Sequence, residues 1–66
     1  MHIVLNGTPT EIADHSTLAD LVAQLALTGQ RLAIEVNAEL VPRSTFANHL
    51  LAPQDQVEII HAVGGG

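Results

Sequence analysis

Short stretches in which apolar and polar residues alternate mark the start, the middle and the end of this chain, and a two-residue period is typical of β-strands. Five segments are predicted as strands, at 1–6, 8–12, 32–36, 40–41 and 57–61. Asn6-Gly7 separates the first two and is typical of a type I′ hairpin turn, because both residues tolerate a positive φ. Pro9 lacks an amide N–H, so the second strand is expected at a sheet edge.

Between the second and third strands the apolar period becomes helical. A single stripe at i, i+3, i+4 and i+7 is formed by Leu18, Leu21, Val22 and Leu25. Thr17, or Ser16 before it, can accept the free N–H groups of the first turn, and Thr17 with Asp20 resembles a capping box. Gly29 is placed to end the helix in a left-handed cap.

Two segments have less regular patterns. The turn after the third strand is Asn37-Ala38, where we expect a different turn type or strain, because Ala at positive φ costs ~1 kcal/mol or more. Segment 44–51 is either a helical turn or a loop, with Phe46, Leu50 and Leu51 expected in the core. The element order predicts an α+β fold, with a mixed sheet of four to five strands and one main helix packed on one face.

Strand alternation divides the sheet residues into two faces. Those expected to face the core are Ile3, Leu5, Ile34, Val36, Val57 and Ile59. Those expected to point outward are Val4, Ala33 and Ile60, with Val63 nearby in the tail. An exposed apolar patch often marks a partner surface, although scattered apolar surface residues are normal. Glu35 and Glu58 would rim this patch and steer it toward a basic partner.

Composition excludes several classes of function. The 66 residues carry two arginines, no lysine and seven acidic residues, for a formal net charge of −5, which argues against nucleic acid as a partner. The absence of cysteine excludes disulfides, zinc ribbons, iron–sulfur clusters and a thiol nucleophile. No apolar run approaches the ~20 residues of a membrane span and no secretory leader is visible, so no membrane association and a cytoplasmic location are predicted.

The polar residues form no pattern typical of a catalytic or metal site. The four histidines, His2, His15, His49 and His61, lack the spacing of zinc ligands, so no metal is expected. Ser16 and Ser44 are explained as capping and turn residues, and Arg43 either pairs with a carboxylate or contacts a partner. A domain this small has little room for a deep cleft, which favours a carrier, a subunit or a binding module over an enzyme.

Motifs along the whole chain resemble one family. They are Leu5-Asn6-Gly7, Thr17-Leu18-Ala19-Asp20-Leu21, Ala33-Ile34-Glu35-Val36-Asn37, Leu40-Val41-Pro42-Arg43-Ser44, Gln56-Val57-Glu58-Ile59-Ile60 and Val63-Gly64-Gly65-Gly66. In this order and length they are similar to the ThiS-type sulfur carriers of thiamine biosynthesis. The resemblance implies a β-grasp (ubiquitin-like) fold. Ala38 stands where a glycine is expected, which affects the turn geometry and not the function.

The resemblance also implies the chemistry. The Gly66 carboxylate would be adenylated by a ubiquitin-activating-like adenylyltransferase, with ATP and magnesium that belong to that enzyme and no cofactor bound to this chain. A sulfur donor such as a cysteine desulfurase would convert it to a thiocarboxylate, which would donate sulfur to thiazole synthase. Without a Cβ, Gly64 and Gly65 would let the tail enter a narrow channel. The chain is thus expected to be one carrier domain, 1–66, with a flexible C-terminal tail at 62–66.

Two alternatives remain open. The first is a sister carrier with the same chemistry at Gly66, such as the small subunit of molybdopterin synthase or a carrier for tRNA thiolation or cysteine synthesis. The second is a ubiquitin-like interaction module whose glycines are only a tail. Removal of Gly65 and Gly66 distinguishes an interaction module from a carrier. A module should keep its binding function without them, whereas a carrier should lose all sulfur transfer.

Overall fold

The computed structural model describes residues 1–61 of the chain. Its elements, in chain order, are β1 (His2–Leu5), β2 (Thr8–Glu11), α1 (Leu18–Gln24), β3 (Leu32–Val36), β4 (Glu39–Val41), a 3₁₀ helix (Arg43–Asn48) and β5 (Gln56–His61). The α+β class, the five predicted strands and the main helix are confirmed. The segment that the sequence left open is a 3₁₀ helix over most of its length.

The five strands form one mixed sheet in the order β2-β1-β5-β3-β4. The last strand lies at its centre, parallel to β1 and antiparallel to β3, while β1–β2 and β3–β4 are antiparallel pairs. Pro9 lies on the edge strand β2, as predicted from its missing N–H. This topology places β5, which leads to the C-terminus, between the two hairpins.

The two hairpin turns have similar backbones but different residues. Asn6 and Gly7 have φ of 49° and 81°, as a type I′ turn requires. Asn37 and Ala38 also have positive φ, 52° and 69°. Of the two outcomes expected for this second turn, strain is the one observed, because Ala38 holds a conformation that its Cβ disfavours.

Replacing Ala38 by Gly is therefore expected to raise the free energy of unfolding by roughly 0.5–1 kcal/mol, since glycine reaches positive φ without a Cβ clash. Urea unfolding followed by circular dichroism measures the change. The matched control is Ala23→Gly, an exposed position inside α1, where glycine should instead lower stability by roughly 0.5–1 kcal/mol. The same sign at both positions would contradict the assigned strain.

The helix begins as the sequence predicts. Thr17 Oγ1 accepts a hydrogen bond from the Asp20 N–H at 3.1 Å, and Asp20 Oδ2 accepts one from the Thr17 N–H at 2.9 Å. This reciprocal pair satisfies two backbone donors of the first turn. The neighbouring Ser16 takes another role, because its hydroxyl donates to the Ala13 carbonyl at 2.6 Å.

The predicted end of the helix at Gly29 is wrong. The helix stops at Gln24, and its last carbonyls accept from two later N–H groups: Leu27 donates to Val22 at 2.9 Å and Ala26 to Ala23 at 3.0 Å. Ala26, with φ of 59°, holds the left-handed position of this Schellman motif.

Because the helix ends about one turn earlier than predicted, two residues near its end have positions that differ from the prediction. Leu25 becomes the C-cap and is 37% exposed, so it is not part of the buried stripe as predicted. Gly29 has a positive φ of 84° but lies in a later turn.

The core lies between α1, the 3₁₀ helix and one face of the sheet. Its buried apolar residues are Ile3, Ile12, Leu18, Leu21, Val22, Ile34, Val36, Val41, Phe46, Leu51, Val57 and Ile59. Leu5 packs against them but is only half-buried. The prediction that Leu50 is buried is wrong: it is 63% exposed, because it bridges to Thr17 through the backbone and Leu51 takes the inward position.

Within residues 1–61, no helix has both the length and the apolar character that crossing a membrane requires.

Candidate functional site

The predicted reactive terminus lies outside the described residues. This applies to Val63 and to Gly64, Gly65 and Gly66, and so also to the expected tail at 62–66. The structure does describe the strand that leads to them. Ile60 pairs with Ala33 and His61 with Leu32, so β5 is aligned with β3 up to the last described residue.

Two asparagine side chains hold β5 in the sheet. Asn6 Oδ1 accepts the Ile59 N–H at 2.8 Å, just beyond the point where β1 stops pairing with β5. At the start of β5, Asn37 Oδ1 accepts the Gln56 N–H at 3.0 Å. Sequence analysis identified both asparagines only as turn residues, because side-chain bonds to a strand more than 15 residues away leave no local signal.

The outward patch predicted from Val4, Ala33, Ile60 and Val63 is only partly assembled among the described residues. Ala33 and Ile60 lie directly opposite each other, and Ile60 is 49% exposed. Val4 is half-buried and pairs with Gln56, four residues before Ile60 along β5, which places it ~13 Å further along the sheet. The apolar centre of this face is therefore the pair Ala33 and Ile60, which we call the central pair.

An acidic row adjoins the central pair, as predicted. Glu35 and Glu58 are directly opposite each other, two residues along their strands from Ala33 and Ile60. With Ala38 they line a shallow cavity of about 120 Å³. Like charges directly opposite on neighbouring strands destabilise a sheet, so a cation placed against this row would stabilise it.

An apolar residue beside this row was not predicted from the sequence. Leu40 pairs with Glu35 on β4 and is 68% exposed. The alternation of Leu40 with the buried Val41 was the signal that could have identified it as outward-facing.

A second cavity borders the other side of the central pair. It has a volume of about 320 Å³ and is lined by Arg31, Leu32, Ala33, Arg43 and Ile60. Arg43 Nη2 donates a hydrogen bond to the Gln30 carbonyl. Of the two roles left open for Arg43, pairing with a carboxylate is not seen among residues 1–61, and the contact with a partner stays a prediction.

A polar cluster at the other end of the chain serves the fold. The N-terminal amine donates to the Ile12 carbonyl at 2.7 Å and lies 2.9 Å from Glu11 and 3.0 Å from Asp14. Hydrogen bonds to Glu11 and then Asp14 raise the pKa of the amine, and the amine lowers the pKa of both carboxyls. These shifts favour the charged forms of all three groups. The interactions link residue 1, directly before β1, to the end of β2 and to the segment that follows it.

The histidines do not come together at a metal site in the described part of the chain. His2 Nε2 lies 3.6 Å from Glu11 Oε1, and residues 1–61 contain no group of three or more His, Asp or Glu side chains placed to hold a metal ion.

Comparison with known proteins identifies the family. The model of the ThiS family matches residues 3–66, which is nearly the whole chain and includes the terminal glycines. The chain belongs to the ThiS family. Among its relatives, the sulfur carrier protein ThiS of Escherichia coli is 29% identical over 66 residues, covering all of both chains.

A thiazole synthase of Magnetococcus marinus is 36% identical over 66 residues, which are all of this chain and 20% of that protein. The chain therefore spans about a fifth of the length of that relative. Among solved structures, the crystal structure of ThiS from Geobacter metallireducens matches all of this chain and all of that one, with a TM-score of 0.86 and 26% identity. This likeness confirms the β-grasp fold.

Proposed function

We propose that this ThiS-family protein is a sulfur carrier for thiamine thiazole synthesis and that the carrying group is the α-carboxylate of Gly66. The supporting observation is the family match, which extends through residue 66. The full-length similarity to a sulfur carrier of E. coli and the β-grasp structure agree with it.

The proposed chemistry takes place at the carboxylate. An oxygen of Gly66, ionised at neutral pH, attacks the α-phosphorus of ATP and displaces pyrophosphate. Hydrosulfide then attacks the carbonyl carbon of the acyl adenylate, AMP leaves, and the carrier ends in a thiocarboxylate. Where the nucleophile is the persulfide of a desulfurase, an acyl persulfide forms first, and a thiol reductant cleaves its S–S bond to release the thiocarboxylate. ATP and magnesium are bound by the activating enzyme, so the chain acts as a protein co-substrate and not as an enzyme. The catalytic groups that orient the reactants and neutralise the developing charge belong to that enzyme.

Three partners follow from this scheme. Thiazole synthase is the acceptor, and the similarity of this chain to a fifth of one thiazole synthase supports that pairing. A ubiquitin-activating-like adenylyltransferase activates Gly66, and a sulfur donor such as a cysteine desulfurase supplies the sulfur. We place these steps in the cytoplasm.

The proposal is tested by intact mass spectrometry after incubation with the adenylyltransferase, ATP, magnesium and a sulfur source. We expect one terminal oxygen to be replaced by sulfur, with fragmentation locating the change at Gly66. No adenylate and no thiocarboxylate, with a folded carrier and an enzyme active on another carrier, would favour an interaction module. The sister carriers differ only in the acceptor enzyme. Immobilising the thiocarboxylate form and identifying which synthase binds to it therefore distinguishes among them.

We further propose that the outward sheet face docks the adenylyltransferase and the thiazole synthase. Its apolar centre is the central pair, and the acidic row of Glu35 and Glu58 beside it suits a basic region of the partner. Val4 lies at the far border of the same face and Val63 follows β5, so both are assigned to the margin of the interface.

Replacing Ile60 by Asp is expected to weaken binding to the adenylyltransferase at least ~10-fold, because an unpaired charge would have to be buried in the complex. Surface plasmon resonance measures the affinity, and thermal unfolding checks the fold. Leu50→Asp is the matched control, since Leu50 is another exposed apolar residue, outside the sheet. Equal affinity of the Ile60→Asp variant and the wild type would rule out docking through this face.

A further inference from the structure

The two arginines of this acidic protein, which has no lysine, line one cavity. Arg31 precedes β3 and Arg43 begins the 3₁₀ helix, yet both line the cavity of about 320 Å³ beside the central pair. A chain with seven acidic residues and no lysine thus places both of its arginines around one cavity, at the end of β5 that leads to Gly66.

Both guanidinium groups have donors available for a ligand. Among residues 1–61, neither arginine lies within 4.0 Å of a carboxylate. Arg43 uses one N–H on the Gln30 carbonyl, and a guanidinium carries five donors. That hydrogen bond orients the Arg43 side chain, and its remaining planar fork matches the geometry of a carboxylate.

The opposite charge lies on the other side of the central pair. Glu35 follows Arg31 by four residues, which is ~13 Å along an extended strand. An approaching protein therefore meets residues of opposite charge at different points along the strand. The outward face is therefore bipolar, with an apolar centre of Ala33 and Ile60.

From this arrangement we infer that Arg31 and Arg43 receive a carboxylate-bearing segment of the adenylyltransferase that also packs an apolar side chain against Ile60. The inference deepens the proposed docking and rests on it. Acidic groups of the partner at the arginines and basic groups at Glu35 and Glu58 fix the direction of docking, because a reversed orientation brings like charges together. With the arginines beside the end of β5, this pairing directs Gly66 toward the enzyme's ATP.

The direction in which affinity changes when an arginine is neutralised distinguishes specific pairing from a general attraction of an acidic protein to a basic enzyme. Arg31→Gln and Arg43→Gln each make the chain one unit more negative. If net charge alone governed binding, both variants would bind a basic enzyme as tightly as the wild type or more tightly. Specific pairing requires weaker binding from both.

The experiment measures association rate and affinity for the adenylyltransferase by stopped-flow fluorescence at low and at high salt. We expect each Arg→Gln variant to bind roughly 2- to 5-fold more weakly, as for exposed ion pairs, with the difference shrinking at high salt. Ala23→Glu is the matched control: it makes the same change in net charge on the exposed side of α1 and should not weaken binding. Arg43→Lys keeps the charge and should recover part of the loss.

Two outcomes overturn the inference. One is that both Arg→Gln variants bind like Ala23→Glu. The other is that the Arg→Gln effect vanishes in a chain whose C-terminal carboxylate is converted to an amide, because the occupant would then be the protein's own terminal carboxylate, which ~18 Å of extended chain would let reach the arginines. A persisting effect supports the partner's carboxylate.

The proposed sulfur-carrier function is judged separately. At saturating enzyme, the wild-type protein and the Ala23→Glu control should acquire the thiocarboxylate. Its absence from the wild-type protein would refute the function itself, whatever the binding data show.

Discussion

Deletion of Gly66 is expected to lower the rate of thiocarboxylate formation at least ~10²-fold while leaving the fold intact. The shortened chain still ends in a glycine carboxylate, that of Gly65, but the reacting group is withdrawn by one residue, or ~3.3–3.6 Å. A misplacement of ~1 Å can already cost ~10²-fold in such a reaction. Single-turnover kinetics, read by mass spectrometry, measure the loss.

The control for this deletion is a chain extended by a fourth glycine. It keeps every native residue but displaces the carboxylate by the same distance in the other direction, so it should lose activity to a similar degree. Both variants should unfold at the wild-type temperature, since 62–66 lie beyond β5. Full activity of the deletion variant would show that the position of the terminal carboxylate does not matter and would remove the basis for assigning the reaction to Gly66.

Truncation of Leu18 to Ala is expected to have the largest effect on stability. Its side chain is 0% exposed and lies in the core at the start of α1. Buried Leu→Ala substitutions cost ~3–5 kcal/mol, through lost burial and the cavity left behind. A domain of this size has a total stability of only roughly 3–10 kcal/mol, so this variant should be largely unfolded or close to it at 37 °C.

Leu50→Ala is the matched control, because the same atoms are removed from a side chain that is 63% exposed. Its effect should stay within about 0.5 kcal/mol, as for surface substitutions. Urea denaturation of both variants, monitored by circular dichroism, gives the two free energies. A similar cost at both positions would contradict the assignment of Leu18 to the core and Leu50 to the surface.

Local patterns were sufficient to predict most of the fold. The strands follow from a two-residue period, the first turn from Asn6-Gly7, and the helix start from Thr17 and Asp20. Each of these features depends on interactions within a few residues, so it is visible in a short window of sequence. The family was likewise accessible, because its motifs are local segments in a fixed order.

The failures occur where a local preference does not by itself decide the structure. Gly29 has the better intrinsic preference for a left-handed cap, yet Ala26 takes that position. Leu50 and Leu51 have identical side chains, yet Leu50, which bridges to Thr17, is exposed and Leu51, whose N–H donates to the Ser16 carbonyl, is buried. Pairing across the sheet also separates Val4 from Ile60, which strand alternation alone had placed on one patch.

The sequence by itself determined the strand and helix periods, the acidic net charge, the glycine terminus and membership in the ThiS family. Only the tertiary structure decided that β5 is held by Asn6 and Asn37, and that Arg31 and Arg43 line one cavity at its end, away from the acidic row. Periodicity and chain ends are properties of neighbouring residues. The position of a charge on a surface depends instead on which strands are paired and in which register, and that pairing is set by the burial of the whole core.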